Sequence, residues 1–237
     1  MYMIQPPALT EEQECDYLPG RNWRFRYFFA MDLDGTELAG LLSTGWRKFG
    51  YYYFKPDCRG CSACVPIRVD AADFAPSRNQ RDLMKRNRDV RMEIGHLKYS
   101  DRIYEIYDIH SRERFGSPRN KEDFTFNFYN PSCPALQSEY WVGDELAGVG
   151  FLDAAADGLS SVYFMFDTRF SKLSLGTYSA IREIEYAASL GLRYYYLGYY
   201  IRECPRMVYK ARFRPHDFYD WKKGQWARQG ESSRRGE

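Results

Sequence analysis

Residues 140–197 read YWVGDELAGVGFLDAAADGLSSVYFMFDTRFSKLSLGTYSAIREIEYAASLGLRYYYL, and the turns that punctuate this stretch decide the fold. Tyr140 to Val142 turns at Gly143-Asp144 into Leu146 to Leu152, and Asp157-Gly158 turns that strand back into Ser161 to Phe166. Glycine-containing pairs between strand-like runs are hairpin signals, so three antiparallel strands are expected. From Ser174 to Leu190, Tyr178, Ile181, Ile184 and Ala188 fall on one helical face, and Gly191 offers the left-handed residue that ends such a helix. Tyr194 to Leu197 then reads as a further strand. A meander, a helix starting from a glycine turn and another strand make an α+β layer.

Upstream, Trp23, Phe25 and Tyr27 alternate with Arg24 and Arg26, the period of a half-buried strand. Thr10 and Glu11 to Glu14 read as a short acidic linker. Asp34-Gly35 predicts a hairpin turn before Glu37 to Leu42, and Tyr51 to Phe54 another aromatic strand. A helix from Ser100 to Arg114 carries Ile103, Ile106, Tyr107 and His110 on one side; a histidine on an apolar face is packed rather than catalytic. Phe115 to Pro134 lacks periodicity and is expected as a long connection. Lys222 to Glu237 is polar and contains glycine, and is expected to fray as a flexible tail.

Residues 54–91, FKPDCRGCSACVPIRVDAADFAPSRNQRDLMKRNRDVR, concentrate the chemistry. Cys58, Cys61 and Cys64 recur at every third position with small residues between them. Val65 to Val69 follows as a strand, and Ser77 with Gln80 three residues on fits a capping box. In the helix that follows, Arg78, Arg81, Lys85 and Arg88 share one face while Leu83, Asn87 and Val90 cluster opposite. One face packs and the other presents a ladder of positive charge, which is either a solvated face or a phosphate-contacting one.

The chain has 237 residues, room for one large domain or two small ones, and two lobes are expected. Its net charge is only +2, so a nucleic-acid surface has to be a local patch. No basic n-region precedes an apolar stretch, and no apolar run approaches the length of a membrane span, so a cytoplasmic protein without membrane contact is expected. Six cysteines in such a chain suggest metal, catalysis or burial rather than disulfides.

The pattern C-x-x-C-x-x-C-x-P-x-R-V, followed by F-x-P-S-R-x-Q-R and K-R-N, resembles the arginyl/leucyl-tRNA protein transferase family in its bacterial aspartate/glutamate leucyltransferase branch. YFMFD, SLGTYSAIREI and YYYLGYYIRECPRMVYKARFRP resemble the C-terminal motifs of the same family, and the likeness spans most of residues 15 to 220. Cys15 matches an N-terminal family cysteine, but the family's second thiol of that pair is replaced by Leu18. The resemblance implies an α+β fold of two acyltransferase-like (GNAT-like) lobes with mixed, mostly antiparallel sheets and flanking helices. It divides the chain into an N-terminal lobe (1–95), a C-terminal acyltransferase-like lobe (96–221) and the tail (222–237).

It also implies transfer of leucine from leucyl-tRNA to an N-terminal Asp or Glu of an acceptor protein, a step that marks proteins for degradation. The ester is already activated, so catalysis rests on orientation and on stabilising an oxyanion, for which the turn at Ser174, Leu175, Gly176 and Thr177 is the candidate. Asp167 is the candidate proton acceptor. Tyr163, Tyr199 and Tyr200 are candidates for the donor pocket and the tRNA 3′ end. Arg68, Lys210 and Arg212 are candidates for the acceptor carboxylate, and Arg78, Arg81, Lys85 and Arg88 for the tRNA backbone. No cofactor is required; zinc or an iron–sulfur cluster at Cys58, Cys61 and Cys64 is the alternative use of those thiols. Arginyl-tRNA as donor, an acetyl-coenzyme A transferase, and a noncatalytic zinc- and RNA-binding module remain as other readings.

Overall fold

The computed structural model describes residues 1–116 and 120–229. In chain order the first half holds β1 (Tyr2–Leu9), β2 (Gln13–Glu14), β3 (Asn22–Trp23), β4 (Phe25–Met31), α1 (Gly35–Ser43), β5 (Arg47–Phe49), β6 (Tyr52–Pro56), β7 (Val65–Asp70), α2 (Arg78–Arg86) and β8 (Val90–Gly95). The second half holds α3 (Asp101–Phe115), α4 (Lys121–Tyr129), β9 (Ala135–Val142), β10 (Glu145–Ala155), β11 (Gly158–Phe166), α5 (Leu175–Ser189), β12 (Tyr194–Tyr200), β13 (His216–Asp220) and β14 (Gln225–Arg228). Short 3₁₀ turns at Thr168–Leu173 and Val208–Arg212 lead into α5 and away from β12.

The strands form a four-stranded sheet in the order β1-β4-β6-β5, an eight-stranded sheet in the order β14-β13-β7-β12-β11-β10-β9-β8, and a small β2-β3 pair. Every pairing is antiparallel except β11 with β12. This is a mixed α+β architecture with mostly antiparallel sheets and flanking helices. β7 and β8 precede residue 96 yet lie in the large sheet with the later strands.

Each face of the large sheet is covered. Leu83 and Val90 pack with Tyr178, Ile181 and Ile184 of α5 on one face, and Ile103, Ile106, Phe124 and Phe128 pack on Val149, Phe151 and Met165 on the other. The small sheet and α1 close a third core around Phe28, Leu38, Leu42 and Tyr53, which reaches Ala155 and Tyr196 of the large sheet. Lys48 on β5 joins these layers through a buried ion pair with Asp153 on β10, 2.9 Å long.

Three expectations are corrected here. Asp34-Gly35 is a helix start and not a hairpin: the Asp34 carboxylate accepts from Thr36 and Glu37 N–H at 2.8 Å each, and Glu37 accepts from Asp34 N–H at 3.0 Å, closing a capping box. The stretch from Phe115 to Pro134 contains α4, capped by Asn120, with Phe124 and Phe128 one turn apart in the core. Phe124, Phe126 and Phe128 alternate with polar residues, so a strand period masks the helical one. Residues 225–228, expected in the tail, pair with β13 as β14; the rest of that expectation, residues 230–237, lies outside the described residues.

One topological detail positions the site. β11 and β12 pair in parallel only from Gly158↔Tyr194 to Ser160↔Tyr196, although β11 continues to Phe166 and β12 to Tyr200. β12 stays with β7 instead, through an irregularity between Tyr196 and Gly198, where Gly198 has φ +83°. A left-handed φ favours glycine, and the kink opens a wedge between the two parallel strands.

Candidate active site

The wedge is a cavity of about 620 Å³. Ser161, Val162, Tyr163, Phe164 and Phe166 of β11 and Leu197 of β12 line it, together with Ser174, Gly176 and Thr177 at the start of α5 and Met207, Tyr209 and Lys210 after β12. The helix end is open in two senses. Ser174 is the N-cap of α5, yet it sits at φ 49° and its hydroxyl caps nothing. Thr177 and Tyr178 N–H donate to the Ser174 carbonyl, so the donors left without a backbone partner at the start of α5 are the N–H groups of Leu175 and Gly176, and the positive helix end lies beside the cavity. A Cβ built on Gly176 would meet only Phe164 Cδ1, at 3.9 Å, so packing does not demand glycine there.

Of the residues singled out in sequence, Tyr163, Ser174, Gly176, Thr177 and Lys210 line this cavity. Leu175 does not: its side chain is fully buried in the core beneath α5. Tyr199 and Tyr200 are adjacent on a strand and therefore point to opposite faces. The Tyr199 hydroxyl donates to the Gly45 and Phe54 carbonyls at 3.0 and 3.3 Å, and Tyr200 packs on Phe218, so neither lines the wedge. His110, on the inner side of α3, does border it.

Asp167 is not poised as a base. Its side chain is buried and ion-paired to Arg102 at 2.6 Å and to Arg169 at 2.7 Å, and its Oδ1 accepts the Arg169 N–H of the 3₁₀ turn. The hydrogen bonds from Arg169, ahead of those from Arg102, hold this carboxyl far below the usual carboxylate range. Arg68 is likewise committed: it is buried, paired to Asp217 at 3.1 Å and stacked against Tyr194 and Trp226.

Lys210 on the wedge wall, and Arg47, which is close to it but not among the lining residues, have no carboxylate at ion-pair distance among the described residues. Lys210 Nζ donates to the Tyr199 carbonyl at 2.8 Å, and Arg47 Nη2 donates to the Ser161 carbonyl at 2.5 Å. These bonds cover carbonyls on the two strands beyond the point where they part. Arg47 Nη1 is buried without a partner. Burial, followed by the Arg47 charge, pushes the Lys210 ammonium down to about 7, and burial lowers Arg47 as well. Arg47 lies in a short aromatic strand where no local pattern singles it out; only its bond to a carbonyl 114 residues away exposes its role.

Beside the wedge, and sharing Ser174, Thr177 and Tyr209 with it, lies a second cavity of about 620 Å³ lined by Ser77, Asn79 and Arg86 of the α2 region and by Arg212 and Arg214. Ser77 and Gln80 close the anticipated capping box at its rim. Arg78, Arg81, Lys85 and Arg88 are exposed along α2 and just past its end, and only Arg88 has a carboxylate partner, Asp89. A larger cavity, about 770 Å³, lies between β8, β9 and α3. Arg102 and Glu145 on its wall belong to the Asp167 and Arg169 ion-pair network, and Ser100 there is the N-cap of α3, its hydroxyl accepting from Ile103 N–H.

Cys15, Cys61 and Cys64 pack around Leu18, Ile201 and Cys204, and Cys58 Sγ accepts from Arg24 N–H at 3.4 Å. All six cysteines are free thiols. Among the described residues no group of three or more Cys, His, Asp or Glu is disposed to hold a metal ion. Burial, before the neighbouring thiols, pushes Cys64 up to about 12 and also raises Cys58.

The chain matches two family descriptions, "Arginine-tRNA-protein transferase, N terminus" over residues 13–82 and "Arginine-tRNA-protein transferase, C terminus" over residues 101–220. It is 35% identical over 226 residues to an aspartate/glutamate leucyltransferase of Thiobacillus denitrificans, covering 91% of this chain and 94% of that one. A Marinobacter nauticus protein of the same name is 34% identical over 87% and 89% of the two chains. Among solved structures, L-PGS from Bacillus licheniformis aligns with a TM-score of 0.48 at 12% identity over 74% of this chain and 52% of that one. FemX aligns with 0.44 at 12% identity over 69% and 60%.

Proposed function

From the premise that the chain belongs to the arginine-tRNA-protein transferase family, we propose that it is an enzyme that transfers leucine from leucyl-tRNA to the N-terminal Asp or Glu of acceptor proteins, in keeping with relatives named aspartate/glutamate leucyltransferase. The observation that carries leucine over arginine is the composition of the wedge. No Asp or Glu lines it among the described residues, while Tyr163, Phe164, Phe166, Leu197 and Met207 do. A guanidinium there would lose its hydration without gaining a counter-charge, whereas a leucyl side chain is matched by apolar walls.

The reaction follows from this geometry. The aminoacyl ester needs no cofactor to activate it, and an ordinary α-amine has a pKa of about 7.7 to 8.0, so the protein chiefly orients two large substrates. In this reading the leucyl ester lies with its carbonyl oxygen toward the N–H groups at the start of α5, where charge develops in the tetrahedral intermediate. Gly176 leaves room for the 3′ end. The second cavity carries the tRNA strand away along Arg212, Arg214 and Arg86 toward the α2 stripe of Arg78, Arg81, Lys85 and Arg88. The acceptor carboxylate is met by Lys210 on the wedge wall.

We read residues 96–221 as the acyltransferase-like (GNAT-like) unit that contains the wedge, and residues 1–95 as an N-terminal lobe that supplies the thiols, the basic helix and two strands of the shared sheet. No described helix is long and apolar enough to cross a membrane, and a cytoplasmic location suits tRNA as donor. The test uses separately charged leucyl- and arginyl-tRNA with peptides differing only at residue one. Leucine transfer to Asp and Glu peptides, with little to Asn and Gln peptides, is expected; preferential arginine transfer would overturn the donor assignment.

A further inference from the structure

We infer that Lys210 is the base of this reaction: it enters as a neutral amine, takes the proton of the acceptor's α-ammonium group, and keeps it by pairing with the acceptor's own side-chain carboxylate. The inference rests on the acidic-acceptor reading above and deepens it, because one lysine then both reads the carboxylate and activates the amine.

The geometry isolates this amine. Lys210 lines the wedge, and its Nζ is fixed by a hydrogen bond to the Tyr199 carbonyl. Arg47 approaches from β5: a Cβ built on Gly198 would lie 3.7 Å from Lys210 Nζ and 3.8 Å from Arg47 Nε and Nη2, so both cations crowd one point. Neither has a carboxylate at ion-pair distance among the described residues, and Asp153, which acts on Arg47 at longer range, is held by Lys48. The other titratable groups that act on Lys210 are Cys64 and Cys204; a thiolate at either would favour the ammonium, but burial holds the Cys64 thiol protonated. Burial, with the guanidinium beside it, pushes the Lys210 ammonium down to about 7, so the free amine a base requires is accessible near neutral pH.

The step balances without another reactant. The acceptor α-ammonium gives one proton to Lys210, and its nitrogen attacks the ester carbonyl carbon to form the new C–N bond. Collapse breaks the bond to the tRNA 3′ oxygen, which leaves with a second proton from the same nitrogen. Lys210 returns its proton to solvent when the acceptor's carboxylate departs with the product. An acceptor starting with Asn or Gln brings no carboxylate to hold the Lys210 proton, so selectivity for acidic residues arises in the activation step as well as in binding.

The test is single-turnover transfer from leucyl-tRNA to an Asp-starting peptide between pH 6 and 9, with wild type and Lys210→Arg. Arginine keeps a charge for the carboxylate but releases no proton in this range. We expect Lys210→Arg to be slower by roughly 15- to 30-fold at pH 6.5, where only about 3–6% of an ordinary α-amine is free, with little change in acceptor KM. The gap should close above about pH 8, where the α-amine loses its proton unaided. A Lys210→Arg rate near wild type at neutral pH, or a deficit of constant size across the range, would overturn the base assignment. Should Lys210→Arg not fold, Lys210→Met is assayed with added methylamine; restored transfer supports the base and a folded variant that does not respond refutes it. Wild type that uses Asp and Asn peptides equally would instead refute the acidic-acceptor reading, leaving the pH comparison intact.

Discussion

Lys48 Nζ on the small sheet lies 2.9 Å from Asp153 Oδ1 on the large one, and both side chains are more than nine-tenths buried. Asp153 Oδ2 has no partner, so the pair is fastened at one oxygen only. Burial alone would lower the Lys48 ammonium, and Asp153 outweighs it. Removing one partner strands the other charge out of water, which typically costs about 3–5 kcal/mol. We therefore expect Lys48→Met to lower the urea midpoint markedly and Lys48→Met/Asp153→Leu to recover most of the difference. A double variant as unstable as the single would show that shape rather than charge fixes this junction.

Glu183 gives the fold a pH dependence of definite sign. Its buried carboxyl accepts from Ser138 at 2.7 Å and Tyr140 at 3.1 Å on one oxygen and from the Tyr195 hydroxyl on the other. Burial pushes it above the ordinary range, and the hydroxyl donors offset part of that shift. A carboxyl raised in the folded state binds a proton more tightly there than in the unfolded chain. Its contribution to stability is therefore present below about pH 4.3 and is lost as pH rises through the folded value. Glu183→Gln should gain on wild type between pH 4.5 and 7.5 in denaturant melts. A difference independent of pH over that interval would contradict the assignment.

Much of the wedge is legible in the sequence because its signals are local. Ser77 with Gln80 and the helix from Ser174 to Gly191 each announce themselves within a few residues, and a helix start beside a glycine directs attention to Gly176. What escapes depends on distant partners. Asp167 pairs with its near neighbour Arg169, two residues on, as well as with Arg102, 65 positions away, and Arg68 reads as a carboxylate reader because Asp217 lies 149 away. Arg47 and Lys48 look like polar alternation in an aromatic strand until the two sheets dock. Tyr199 and Tyr200 are separable in principle, since strand neighbours face opposite ways. Asp34-Gly35 alone serves a hairpin or a helix cap equally, and it is Glu37, three residues on, that marks the cap, with Leu38 and Leu42 packing the helix it starts.

The two basic groups near α2 make separable predictions for tRNA. Arg86, Arg212 and Arg214 border the cavity that adjoins the wedge, whereas Arg78, Arg81 and Lys85 project along the exposed helix. Removing one phosphate-binding cation should reduce the slope of log K against log salt by roughly 0.9 for a duplex or 0.7 for a single strand. We expect Arg86→Gln/Arg214→Gln to weaken leucyl-tRNA binding even to a short acceptor-end minihelix. Arg78→Gln/Arg81→Gln/Lys85→Gln should weaken full-length tRNA more than the minihelix. Unchanged affinity and salt slope in both folded variants would remove tRNA from this face.

Gly176 offers the sharpest separation of fold from function. It lies in the first turn of α5, where glycine costs a helix up to about 1 kcal/mol relative to alanine, and a Cβ there would touch only Phe164 Cδ1 at 3.9 Å. The fold thus has no steric need for glycine at this position, and Gly176→Ala should melt at or slightly above the wild-type temperature. Valine adds branches that project into the wedge at the point where the 3′ end of the donor is to lie. Gly176→Val should keep a near-normal melting temperature, because a Cβ there makes only ordinary contact with Phe164 Cδ1 at 3.9 Å, yet transfer more slowly by a factor of about 100 or more. Measuring both on one preparation decides the matter: a Gly176→Val protein that melts normally and transfers leucine at the wild-type rate would place the reacting ester elsewhere.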